Sequence, residues 1–457
     1  MSDYFTRSGV LCALLLASSW TWVVPRAEAQ QVASADTVAD SGGGQTLTLR
    51  EALLRASRSA PQVLAAFANA DAARAQLRVA SAALYPTVSA SVGASVGVAN
   101  GGAGSTTTAG RSSVSASASA TAALNANWLL WDFGRTAASR DIASGNVAIA
   151  EAGSASVQQA AVQSAASAFY GVLADESVVA AARTSIEQLT AQRDVAAGFV
   201  EIGSQPPIAG VRAEVALASA ELELRVAEGA WRSDIATLGA ALALDPALPL
   251  RVVAPAPLQV SYGVEQAIVA ALATRPDVRA ERARVATVEA QLRGARADYL
   301  PTLSASGSLG VRYGLASPGG GAASESASAS VGLSVPVFDA TIPARVRGAE
   351  AQLVAARANL AELELGVRTS AVQAVIAAQS AEIILEQAER VAAGAAANLA
   401  QAEGRYAAGA APQLELLDAQ AVDASARITV IRLRAQVELA KIALLAAMGQ
   451  LPELTRR

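Results

Sequence analysis

The sequence predicts an α+β membrane protein: four β-strands per chain contribute to a barrel that one chain cannot close, and a long α-helical coiled coil continues it. Three observations predict this. An internal repeat runs through the chain at offsets of 215 to 206 residues, four segments alternate between apolar and small polar residues, and two alanine-rich stretches far exceed a globular helix in length.

The repeat comes first. "AQLR" at 75–78 recurs at 290–293, "PTVSAS" at 86 matches "PTLSAS" at 301, and Pro61 matches Pro276, all 215 residues apart. Further on, "WDFGR" from Trp131 aligns with "FDATI" from Phe338 at an offset of 207, and Gly203, Pro206 and Pro246 align with Gly409, Pro412 and Pro452 at 206. Two structural repeats follow, 46–257 and 258–452, forming one elongated unit. The single residue lost between the last two offsets is expected inside a helix or near its tip.

In chain order, Arg7, the apolar stretch "VLCALLLASSWTWVV" and Ala27 and Ala29 before Gln30 read as a signal peptide over 1–29, so the mature protein is expected to be exported. Ser18 and Ser19 interrupt the segment and speak against a membrane anchor. Gly9, Val10 and Leu11 before Cys12 speak against a lipid anchor. Helices are expected at 47–59 and, after the break at Pro61, at 61–84, then strands at 86–98 and 114–130. A helical stretch over 134–200 would extend roughly 100 Å at 1.5 Å per residue. A turn at 201–209 and a return helix over 210–245 complete the repeat. The proline-rich linker "DPALPLRVVAPAPLQV" discourages helix. The second repeat gives strands at 301–315 and 326–338 and a long helix over 344–405, along which Val346, Leu353, Leu360 and Val367 fall seven apart as a narrow coiled-coil seam. The two shorter helices of each repeat sum to nearly the length of the long one, so they are expected to stack end to end beside it as a rod.

Within the first alternating segment Val88, Ala90, Val92, Ala94, Val96 and Val98 share one face, opposite Thr87, Ser89, Ser91, Gly93, Ser95 and Gly97. The other three segments follow the same rule. A strand of about 12 residues rises roughly 40 Å, or about 28 Å when tilted near 45°, which suits an outer-membrane hydrocarbon layer. Tyr85, Trp128, Trp131, Phe133, Tyr299 and Phe338 cluster where strands meet helices, as an aromatic girdle at a lipid interface would. Four strands leave open edges, which lipid does not tolerate, so several chains must contribute, and three chains give twelve strands. The Ser/Gly faces would then line a water-filled lumen.

Composition removes other classes. The formal charge of −4 offers no basic face for nucleic acid, histidine is absent, and Cys12 is the only cysteine. "GASVG" at 93–97 fits the nucleophile-elbow pattern, but Ser95 alternates on a strand and the chain has no histidine base. No catalytic residue, cofactor or metal site is expected.

Nearly all of the mature chain, from about Thr46 to Pro452, resembles the TolC-like outer membrane efflux proteins, or outer membrane factors. "LYPTVSAS", "YLPTLSAS", "VFDA" before the long helix and "RYAAGAAPQLELLDAQ" at the second helical turn carry the resemblance. It implies a trimeric barrel joined to an α-helical periplasmic tunnel, without catalysis. Its implied partners are outer membrane lipid, a periplasmic adaptor (membrane fusion) protein and an inner-membrane RND or ABC transporter. The positions matching Glu415 and Asp418 are acidic in the member that names the family and ring the periplasmic entrance, so these two are the expected constriction. Tyr406 matches a residue that holds that entrance closed, although Ile208, Ala209 and Ala411 replace its polar partners here. The turns at Gly203, Pro206, Gly409 and Pro412 are where the resemblance places adaptor contact. An exported coiled-coil structural or surface protein without channel activity is the alternative from another class.

Overall fold

The structure is a computed structural model that describes residues 45–100, 114–260, 262–316 and 321–451. The expected signal peptide, Cys12 and Pro452 lie outside the described residues. The first repeat comprises β1 (Gln45–Leu47), α1 (Leu49–Ser59), α2 (Pro61–Ala82), β2 (Thr87–Asn100), β3 (Val114–Trp131), α3 (Arg135–Glu201), α4 (Ile208–Ala241) and β4 (Leu250–Val252). The second comprises α5 (Val264–Thr274), α6 (Pro276–Ala297), β5 (Thr302–Ala316), β6 (Gly321–Ser334), α7 (Thr341–Ala407) and α8 (Gln413–Ala447).

Local chemistry sets the boundaries. Thr48 and Glu51 form a capping box that starts α1: Glu51 N donates to Thr48 Oγ1 at 3.3 Å and Thr48 N donates to Glu51 Oε2 at 3.0 Å. Pro61 and Pro276 are the first residues of α2 and α6, where a proline forfeits no helical hydrogen bond. β6 stops at Ser334 although the alternation continues through Val335 and Val337, because Pro336 has no N–H to donate to a ladder. Phe338 is therefore in the connection to α7, not in the strand. β1 and β4, which no periodicity in the sequence marks, pair in parallel, Gln45 with Leu250 and Leu47 with Val252. This pairing ties the start of the first repeat to the proline-rich linker.

α3 and α7 each contain 67 residues, so the one-residue difference expected inside a helix or near its tip does not lie within the helix. It falls just before α3. Asp132 and Asp339 precede the two long helices, and one extra residue separates Asp132 from its helix. Two left-handed residues absorb it, Phe133 at φ 54° and Gly134 at φ 101°. Both aspartates bind the start of their helix. Gly134 N and Thr136 N donate to Asp132 at 3.1 and 2.6 Å, and Thr341 N donates to Asp339 at 2.8 Å. Burial would raise the Asp132 carboxyl, but the hydrogen bonds from Thr136 and Gly134 and the Arg135 charge together hold it below the usual carboxylate range. Hydrogen bonds from Thr341 lower Asp339 in the same way.

α2 and α4 both lie along α3, and α6 and α8 both lie along α7, which is the expected end-to-end stacking. Three ion pairs fix the antiparallel register of α6 on α7: Arg282 with Glu364, Glu289 with Arg357 and Arg296 with Glu350, each at 2.9 Å. The spacing on both helices is seven, the same period as the Val346–Val367 seam. Arg434 of α8 then pairs with Glu389 of α7 at 2.9 Å. The repeats join where α3 meets α6. At Gly145 a Cβ would lie 2.0 Å from the Thr287 hydroxyl, so only glycine permits that approach.

Large buried side chains gather at the midpoint of both long helices. Phe169 and Val172 of α3, Val367 and Val375 of α7, Leu53 of α1 and Ile442 of α8 belong to one core there. Burying each such side chain stabilises by about 1.5–3 kcal/mol. Alanine, which contributes far less, supplies most of the remaining contact, so stability concentrates at this waist. Among the described residues no helix is long and apolar enough to cross a membrane.

Candidate functional site

Two regions carry the predicted functional residues: the long sheet and the far ends of the helical hairpins. The sheet has the order β2-β3-β5-β6 with every pair antiparallel. Its register aligns the four alternations. Ala90, Leu124, Leu309 and Ala327 form one cross-strand row, while Ser89, Asn125, Ser308 and Ser328 form a row on the opposite face. One face is thus apolar apart from Glu325, and the other is coated mainly with small polar groups, with Ala123 and Leu129 among them.

The polar face holds itself together by hydroxyl pairs: Ser95 with Ser119 at 2.9 Å, Ser306 with Ser330 at 2.8 Å and Ser308 with Ser328 at 2.9 Å. Among the described residues nothing covers the apolar face, and Val92 is 82% and Val96 80% exposed. The outer sides of β2 and β6 have no strand beyond them among the described residues. A sheet with an uncovered apolar face and two long open edges is incomplete as a monomer.

All six predicted aromatic residues lie at the end of the sheet nearest the helices. Tyr85 and Tyr299 immediately precede β2 and β5, Trp128 and Trp131 close β3, and Phe133 and Phe338 follow β3 and β6. Strict alternation would send Trp131 to the polar face. Instead the β3–β5 register skips Leu130, and the bulge sets Trp131 opposite Leu303 on the same face as Trp128. Trp128 Nε1 donates to the Leu84 carbonyl at 3.0 Å, and Trp131 and Phe133 stack edge to face with centroids 6.1 Å apart. The sequence pattern did not reveal the bulge.

At the other end, α3 and α7 finish with the same cap. Ser204 N donates to Phe199 O at 2.9 Å around Gly203 at φ 74°, and Ala410 N donates to Arg405 O at 2.8 Å around Gly409 at φ 68°. Both are Schellman turns, which require a left-handed residue. Pro206 and Pro412 lie between these caps and the return helices. The two turns meet. Phe199 packs against Tyr406 with ring centroids 6.5 Å apart, and Gln205 Nε2 donates to the Tyr406 hydroxyl at 3.2 Å. Tyr406 also rests on a small core of Leu399, Ala402, Leu416 and Ala419.

Tyr406 therefore takes a polar partner from Gln205, which the sequence reading missed while noting Ile208, Ala209 and Ala411. Glu415 is ion-paired with Arg405, a partner also missed although Arg405 adjoins Tyr406 in the sequence. Asp418 lies one helical turn on, exposed and without an ion pair among the described residues. The structure brings Tyr406, Glu415 and the two turns to one end of the hairpins, far along the chain from the aromatic residues. No group of His, Cys, Asp and Glu among the described residues could hold a metal ion.

Comparisons with known proteins bear on this architecture. A family model described as "Outer membrane efflux protein" matches residues 52–244 and 267–450. Protein CyaE of Bordetella pertussis is 29% identical over 434 residues, covering 89% of this chain and 84% of that protein. The CmeC outer membrane channel of Campylobacter jejuni superposes with a TM-score of 0.75 at 17% identity, covering 88% of this chain and 86% of that one. The MtrE outer membrane channel of Neisseria gonorrhoeae, in its open state, gives 0.70 at 18% identity over 88% and 89%.

Proposed function

Since this chain belongs to the outer membrane efflux protein family, we propose that three copies close one twelve-stranded barrel in the outer membrane and continue it as an α-helical tunnel through the periplasm. The assembly is a passive exit duct of a tripartite efflux pump or a type I secretion system. A periplasmic adaptor and an inner-membrane RND or ABC transporter deliver the cargo. The observation that carries this reading is the one-sided sheet with its two open edges. Joining β6 of one protomer to β2 of the next satisfies both rows of backbone groups, which lipid demands. The same closure turns the apolar rows outward, Glu325 with them, and the serine rows inward. Trp128 and Trp131, held on the outer face, support an interfacial girdle together with Tyr85, Phe133, Tyr299 and Phe338.

At the tunnel end, Glu415 and Asp418 of three chains form the acidic constriction. Asp418 carries most of its charge, because Arg405 already neutralises Glu415. The Tyr406–Gln205 and Tyr406–Phe199 contacts hold the two hairpins of one chain together there. The turns at Gly203, Pro206, Gly409 and Pro412 present the adaptor surface.

The test is reconstitution. The purified protein is expected to be a detergent-requiring trimer that conducts ions across a planar bilayer. A soluble monomer without conductance would overturn the duct and favour an exported coiled-coil structural protein.

A further inference from the structure

Among the described strand residues, the polar face of the sheet carries one charged side chain, Arg312 of β5. It occupies the row Gly93, Thr121, Arg312, Ser324. Its Nη2 donates to Ser119 Oγ at 3.5 Å, which places the guanidinium on the serine side of the sheet. Along β5 its neighbours on this face are Gly310 and Gly314, and a side chain added at Gly314 would meet nothing within 4 Å. Arg312 itself is exposed. The one carboxylate nearby in register, Glu325, belongs to the adjacent row with Val92, Ala122 and Val311, on the opposite face, so it does not neutralise the cation.

Arg312 lies ten residues beyond Thr302, the helix-proximal end of β5, and so near the outer mouth of a barrel built from these strands. We infer that Arg312 from three chains forms a cationic ring in the exit lumen, which binds and concentrates multivalent anions. This rests on the trimeric duct proposed above. Twelve strands about 4.8 Å apart and tilted near 45° give a backbone radius of about 13 Å. The arginine arm shortens the distance from charge to axis toward the Debye length of about 8 Å at physiological ionic strength. Among the described strand residues the rest of this face carries hydroxyls, amides, glycines and a few apolar side chains, so three such charges dominate its field. Arginine stays protonated at any working pH, so the ring is permanent. Its sign is opposite to that of Glu415 and Asp418 at the other end.

The experiment uses the full-length protein in planar bilayers with ferrocyanide added on the barrel side. Wild-type channels are expected to show voltage-dependent block by ferrocyanide. Arg312→Gln is expected to weaken that block about ten-fold or more, in line with the local enrichment a charged cleft produces. Arg312→Lys, which keeps the charge, is expected to retain it. A conducting wild type that ferrocyanide does not block, or an Arg312→Gln channel blocked as strongly as wild type, overturns the ring while leaving the duct intact. Loss of block in Arg312→Lys assigns the effect to shape and overturns the electrostatic role. Absence of conductance in the wild type itself overturns the duct, and the ring with it.

Discussion

Ala243 and Gly449 occupy equivalent positions 206 residues apart, and both are left-handed, at φ 53° and 71°. Each closes the return helix of its repeat with a hydrogen bond from the next residue: Leu244 N to Gly239 O at 2.8 Å, and Gln450 N to Leu445 O at 2.9 Å. An alanine there carries a steric cost that glycine does not. Ala243→Gly is therefore expected to stabilise by up to about 1 kcal/mol, after the extra unfolded-state entropy of glycine is subtracted. Gly449→Ala is expected to destabilise by about 2 kcal/mol or more, because its Cβ would lie 3.0 Å from the backbone of Arg275. Thermal unfolding of the two variants checks both signs. At the acidic end, Glu415→Ala with Asp418→Ala is expected to weaken cation selectivity and block by multivalent cations, with Asp418→Ala alone producing most of the effect. Reversal potentials across a salt gradient measure it, and an unchanged double variant would remove these residues from the conduction path.

Elements were legible wherever a period of two or of seven persists. The four strands and both long helices begin within a few residues of where their patterns begin. Features that depend on pairing were not. The three-residue β1 and β4 have no periodicity to display, and the bulge at Leu130 follows from the fit of β3 to β5 rather than from either sequence alone. The Arg282–Glu364, Glu289–Arg357 and Arg296–Glu350 ladder depends on the same kind of fit between α6 and α7. Each pair is partly exposed and contributes at most about 1 kcal/mol, so its main effect is on register. Reversing Arg282, Glu289 and Arg296 together should lower the unfolding temperature, and reversing Glu350, Arg357 and Glu364 as well should restore it. A loss that high salt does not diminish would mean the charges act through packing instead.

For the molecule as a whole, the sequence displayed more than a single chain can: the four aligned alternations specify a shared apolar side, which the proposed barrel turns to lipid. What stayed hidden was the chemistry holding the two hairpins together. Gln205 and Tyr406 are 201 residues apart, and neither is unusual for its helix or turn. Arg405 was equally inconspicuous. Such partners are chosen by the tertiary approach of the two turns, and their positions in the chain do not announce it.

The turn from Asp132 to Gly134 also spares the phase of α3. A helix is phased along its entire length, and removing one residue rotates everything beyond it by about 100°. Deleting Ala155 should therefore turn Phe169 and Val172 out of the waist and abolish the proposed trimer. Deleting Phe133 merely restores the spacing found at Asp339, and the trimer should survive. The two halves differ in length at this joint, where no helical phase is kept. The 67-residue helices have kept count.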